Sequence, residues 1–216
     1  MKVQSVSSIT LISIAAIGVS QLTLAVPTMA ALLYPTQINE KPSSNLAQFN
    51  DDNPERSQLI QQANALYSQR DFKGAETSLR QLIKKYPEDA FAHFQLGNVL
   101  LRQKQPEVAI KSYQEAIRIK PKYALAYNAL GVAYATQDRW NEAITEYRKA
   151  LEINPNYGEA MTNLGQALWQ INKRDEAVAS LEKALNIFKT QSRNDKVYQI
   201  EQMLKQIRSV NDPSVS

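Results

Sequence analysis

Hydrophobic and polar residues divide the chain into three stretches. Residues 3 to 39 carry no charge, and an apolar run from Ile9 to Val26, diluted by Ser13, Gly18, Ser20, Gln21 and Thr23, is closed by Pro27. Residues 34–55 have no sustained period and hold Pro35, Pro42, Ser43, Ser44 and Asp51-Asp52, the pattern of a flexible linker. From Arg56 onward apolar residues return at helical spacing and keep it nearly to the end.

Residues 1–33 read as a targeting segment. Thr28-Met29-Ala30 before Ala31 resembles a signal-peptidase site, and the polar dilution favours cleavage there. The alternative is an uncleaved membrane anchor, since about 20 apolar residues span a bilayer. Either way Lys2 holds the N-terminus in the cytoplasm and the remainder is exported, into the periplasm or an equivalent lumen, with a possible tether through the N-terminus.

The helical part repeats itself at an offset of 34 residues. Pro87, Pro121 and Pro155 recur at that spacing, as do Gly97, Gly131 and Gly165, and Ala75, Ala109, Ala143 and Ala177. Units therefore run over residues 56–89, 90–123, 124–157 and 158–191. Each splits into two helical runs. In the first, places 4, 7, 8 and 11 fall on one face at 3.6 residues per turn and form a packing stripe. A mid-helix glycine costs about 1 kcal/mol against alanine, so glycine at place 8 implies close helix–helix approach, with Ala63 in that role in unit 1. In the second run places 20, 24 and 27 share a face, and the proline at place 32 ends the helix.

This pattern resembles the tetratricopeptide repeat family, whose unit is a 34-residue helix–turn–helix. The resemblance covers Arg56 to Gln191, about two thirds of the chain. It implies an all-α, right-handed superhelical solenoid of antiparallel helix pairs. Departures fall at the ends: Gln62 replaces the leucine of the other units and Lys189 replaces the proline. Residues 192–209 carry Val197, Ile200, Met203, Leu204 and Ile207 on one face, as a helix capping the fourth unit would, and residues 210–216 form a tail.

In proteins of this family the concave surface receives a peptide or helix of a partner, and places 2, 5, 9 and 12 of the first helices form a stripe distinct from the packing one. The residues of interest there and beside it are Asn64, Tyr67, Phe91, Phe94, Asn98, Arg102, Asn128, Asn163, Gln166 and Trp169. Asparagine amides can donate to and accept from a peptide backbone, and large aromatics dominate binding hot spots. Phe91 and Phe94 have a second reading as packing between units, and the asparagines as solvated surface. No Lys/Arg pair forms a carboxylate clamp on this face, so the groove reads as neutral and amphipathic.

Composition narrows the chemistry. The 216 residues contain no cysteine and one histidine, which excludes disulfides, thiolate metal sites, thiol nucleophiles and multi-histidine metal cages. His93 occupies packing place 4 and reads as a buried structural residue. No phosphate loop or nucleophile elbow is present, so no catalytic residue, metal or cofactor is expected. The net charge of +4 suggests a nucleic-acid partner at first. The bases of the second helices, however, interleave with Glu76, Glu115, Glu146, Glu152 and Glu182, as a solvated outer face does, leaving at most a weak contact with anionic lipid. The expectation is a non-catalytic scaffold binding a protein or peptide, with a self-associating structural subunit of an envelope complex as the alternative.

Overall fold

The computed structural model describes residues 53–210. The signal or anchor segment, all but the end of the linker, and residues 211–216 lie outside the described residues. Nine helices occur among the described residues and no strands: α1 Pro54–Ser68, α2 Phe72–Lys85, α3 Ala90–Arg102, α4 Pro106–Ile119, α5 Ala124–Ala135, α6 Trp140–Ile153, α7 Gly158–Gln170, α8 Arg174–Thr190 and α9 Asn194–Val210. The first eight pair as α1/α2, α3/α4, α5/α6 and α7/α8, each pair packs on the next, and α9 packs on α8. This is an all-α helical-repeat solenoid. None of these helices is long and apolar enough to cross a membrane.

The helix ends follow local chemistry. α1 starts at Pro54, inside the stretch expected to be linker, because Asn53 accepts a hydrogen bond from the Arg56 N–H at 3.1 Å and proline suits the first helical position. Asp71 and Asp89 cap α2 and α3 in the same way. α2, α4 and α6 each stop two residues before Pro87, Pro121 and Pro155. α8, with Lys189 at that place, runs three residues further into its unit, to Thr190.

Within each unit a short turn joins the helices, of three residues in units 1, 2 and 4 and four in unit 3. Its penultimate residue is left-handed in every case: Arg70, Lys104, Asp138 and Asn172, with φ of 63°, 61°, 57° and 62°. The following N–H then reaches back to close the helix end, as Gln105 N does to Leu100 O at 2.9 Å. The connection from α8 to α9 uses this same within-unit turn, with Ser192 at φ 57° and Arg193 N bonded to Phe188 O at 3.0 Å. The four-residue proline connection that joins the units elsewhere is absent there.

The glycines at place 8 set the distance inside a pair. A Cβ on Gly97 would lie 2.5 Å from a ring carbon of Tyr113, and one on Gly131 2.6 Å from Tyr147. On Gly165 it would meet Leu181 at 2.8 Å. The two tyrosines consequently bury whole rings, and that burial pushes both phenols above their usual pKa range. The capping face is as expected: Ile200, Met203, Leu204 and Ile207 are buried against Leu181, Ala184 and Phe188. His93 is a correction. It is only half-buried, and its Nε2 lies 2.9 Å from the Pro87 carbonyl, which ties it to the preceding connection.

Candidate partner-binding surface

The inner stripe is built from α1, α3, α5 and α7, and its exposure changes along the array. In units 1 and 2 Ile60, Asn64, Tyr67, Phe91, Phe94, Asn98 and Leu101 are all half-buried. Unit 3 presents Leu125, 41% exposed, while Asn128 and Val132 are buried. In unit 4 Glu159, Thr162 and Gln166 are buried at 4%, 7% and 6%. Asn163 is buried beside them. Gln166 points its Nε2 at Met203 Sδ, 3.7 Å away on α9, and Arg193 holds Glu159 in an ion pair. Unit 4 is therefore covered by the chain itself, and Gln166 and Asn163 leave the candidate groove.

The asparagines turn out to be ties between neighbouring elements. Gln95 Nε2 donates to Asn64 Oδ1 (3.1 Å), Asn98 Nδ2 to Gln95 Oε1 (2.9 Å), and the Tyr113 hydroxyl to Asn98 Oδ1 (2.8 Å). Further along, Asn163 Nδ2 donates to Asn128 Oδ1 (2.9 Å) and Asn128 Nδ2 to the Tyr157 hydroxyl (3.3 Å). These half-buried or buried amides are satisfied internally, as such groups must be. They hold the first helices in register, and a ligand would have to displace those bonds to use them.

The aromatics separate into two kinds. Phe94 packs at the junction, 5.2 Å from the Tyr123 ring and 6.0 Å from that of Tyr113. Tyr67 meets Phe72 edge-on at 5.5 Å and accepts a hydrogen bond from Arg102 Nε at 3.0 Å, so the exposed Arg102 bridges units 1 and 2. Burial raises the Tyr67 phenol and Arg102 opposes that rise. Trp169 is half-buried, with the Arg174 guanidinium 5.3 Å from its ring. Leu125, at place 2 of unit 3, is the exposed apolar side chain of the stripe, and Phe91, at the same place of unit 2, is half-buried.

Phe91 also lines a cleft of about 550 Å³ between the connections that follow α2 and α4. Tyr86, Tyr123, Lys85, Lys120, Asp89 and Arg56 contribute to it. None of these except Phe91 was among the expected site residues, because wheel positions on the first helices say nothing about connections. A signal did exist: Tyr123 and Tyr157 recur at the 34-residue spacing, at the place just before a first helix. Burial raises the Tyr123 phenol well above its usual range, helped by the negative charge of Asp89.

Two models described as tetratricopeptide repeat match residues 60–124 and 122–190. The chain belongs to the tetratricopeptide repeat family. Members of the family are protein-interaction scaffolds, and that coarse assignment holds for this chain. No curated protein matches the sequence. Among solved structures, a crystal structure of MamA protein is 21% identical, with a TM-score of 0.58, over 72% of this chain and 87% of that one. MamA from residue 41 to its end, from Desulfovibrio magneticus RS-1, is 25% identical over 63% and 77%, also with a TM-score of 0.58. Both likenesses concern the repeat fold. The family match begins at residue 60, inside α1, the helix in which Gln62 replaces a leucine.

Proposed function

We propose that this protein captures a segment of a partner protein along the inner face of units 1–3. The observation that carries the reading is the exposed Leu125 beside the half-buried Phe91, both at place 2, on a face whose far end is closed by α9 and Arg193. A groove that reaches Leu125 in unit 3 and is stopped at unit 4 accepts a short segment and sets where it ends. The outer side of α9 gives little support to self-association through the cap. Apart from Tyr198 it presents Asn194, Asp195, Glu201, Lys205 and Arg208, with Glu201 and Arg208 in ion pairs.

The reading also puts the protein outside the cytoplasm, on the strength of the uncharged run from Val3 to Asn39. A photo-crosslinking side chain at position 125 tests the groove in the native compartment. A single adduct of defined mass is expected there, and none from position 148 on the outer face. The reverse result would move binding to the second helices. Intact mass of the mature chain tests the targeting segment, because cleavage before Ala31 removes about 30 residues.

A further inference from the structure

The cleft beside Phe91 differs chemically from the rest of the inner face. Its volume of about 550 Å³ suits one or two large side chains and their backbone. Phe91 and Tyr123 supply aromatic walls, and the Tyr123 ring also packs against Phe94 at 5.2 Å.

The charges around it are unequally spent. Asp89 accepts from Arg56 Nε at 2.7 Å and from the Ala92 N–H at 3.0 Å. Glu88 is held by Arg118 at 2.8 Å, and Lys85 by Glu55. Lys120 has no carboxylate partner among the described residues; its ammonium stands 4.8 Å from the centroid of the Tyr123 ring. The lining acids are thus neutralised from within, while one exposed cation, Lys120, lies over the face of the Tyr123 ring with no carboxylate to neutralise it among the described residues.

We infer that the cleft takes an internal acidic–aromatic segment of the partner, an aromatic ring entering between Phe91 and Tyr123 and a neighbouring Asp or Glu carboxylate meeting Lys120. The inference rests on the groove reading and names the chemistry of its occupant. A chain-terminal carboxylate is the poorer match. Such groups need several converging donors, and here Lys120 stands without a second cation left for a clamp while the Ala92 N–H already belongs to Asp89. The Lys120 ammonium is a point charge, suited to one side-chain carboxylate.

The test uses the purified full-length chain and an acetylated, amidated peptide with a Glu-Phe-Glu core, followed by fluorescence anisotropy. The corresponding Gln-Phe-Gln peptide is expected to bind about tenfold more weakly, and raised salt to narrow the gap. Lys120→Glu, at an exposed position, should lose a similar factor and turn its preference to a Lys-Phe-Lys peptide. That reversal cannot come from misfolding. Phe91→Ala should abolish binding of both peptides, and Arg148→Glu should change neither.

Equal affinity for the Glu and Gln peptides, indifference to Lys120→Glu, or binding only of a peptide with a free C-terminus would each overturn the inference. If the peptides fail but the adduct at position 125 still forms, the acidic–aromatic assignment falls and the groove stands. If that adduct is missing as well, both fall.

Discussion

Units 2 and 4 hold the same four inner places with opposite fates. Unit 2 has Phe91, Phe94, Asn98 and Leu101, mostly apolar and half-buried; unit 4 has Glu159, Thr162, Gln166 and Trp169, mostly polar and, apart from Trp169, buried. Polarity alone predicts the reverse order. The difference lies in the element packed next to each unit on its C-terminal side. Unit 2 is succeeded by a unit that leaves its inner face accessible, whereas unit 4 is succeeded by α9, which lies across it. The polar groups in unit 4 tolerate burial because each has a partner: Arg193 for Glu159, the Gly158 carbonyl at 2.9 Å for Thr162, and the Met203 sulfur for Gln166.

The strongest way to break this contrast is to remove α9. A chain ending at Gln191 uncovers Leu181, Ala184 and Phe188 and loses four buried aliphatic side chains, each worth about 1.5–3 kcal/mol. It should aggregate or unfold, with dye binding to exposed apolar surface; a truncated chain as heat-resistant as the parent would refute the capping role. Next in size is Glu159→Ala, which leaves Arg193 beside the Phe188 ring, 4.8 Å away, with no carboxylate partner among the described residues. The expected loss is about 2 kcal/mol in chemical unfolding, reduced from the figure for a fully buried pair because Arg193 is about one third exposed. Phe91→Ala, by contrast, should affect stability less than partner capture.

A smaller effect sharpens the comparison inside the helix pairs. Gly97→Ala presses a methyl group into a rigid tyrosine ring at 2.5 Å, whereas Gly165→Ala meets the more pliable Leu181 at 2.8 Å and, less closely, the Ala177 carbonyl at 3.1 Å. Overpacking costs about 1–3 kcal/mol and the gain in helix propensity returns up to about 1, so Gly97→Ala should lower the melting temperature more than Gly165→Ala. The smallest change is a gain in unit 3, between the two compared regions. Buried Ser78, Ser112 and Ser180 occupy place 23 in the other units, where unit 3 has Glu146 with Oε2 buried and without a hydrogen-bond partner. Glu146→Ser should stabilise the domain by about 1 kcal/mol, net of the lost contact with Lys149, as read from urea midpoints.

Much of the fold was legible because its marks are backbone rules. Prolines stop helices, glycines admit a facing ring, and a 34-residue spacing of both leaves one architecture. The exposure of the candidate surface was legible only where a single helix decides it, as at place 2, where Leu125 is exposed. Gln166 and Asn163 sit correctly on their helix wheel and yet are covered, because the covering residues come from elsewhere in the chain. The internal bonds of the asparagines were not legible for a related reason: an amide that suits a peptide backbone suits a neighbouring amide equally well, and the neighbour is always present. Lys120 and Tyr123 were missed because they stand on a connection, where periodicity carries no information about direction.

The tight turn after α8 also bears on how such an array can change in length. Where a proline stands at place 32, the chain opens into a four-residue connection and another pair comes next. Lys189 lets α8 continue instead, and the chain folds back through the turn otherwise kept for the inside of a unit. Duplicating a unit upstream of that lysine would lengthen the array without disturbing its end, whereas a copy inserted behind α9 would find a charged helix in place of an apolar one. Evolution could thus vary the reach of this protein by gene duplication at every boundary but the last.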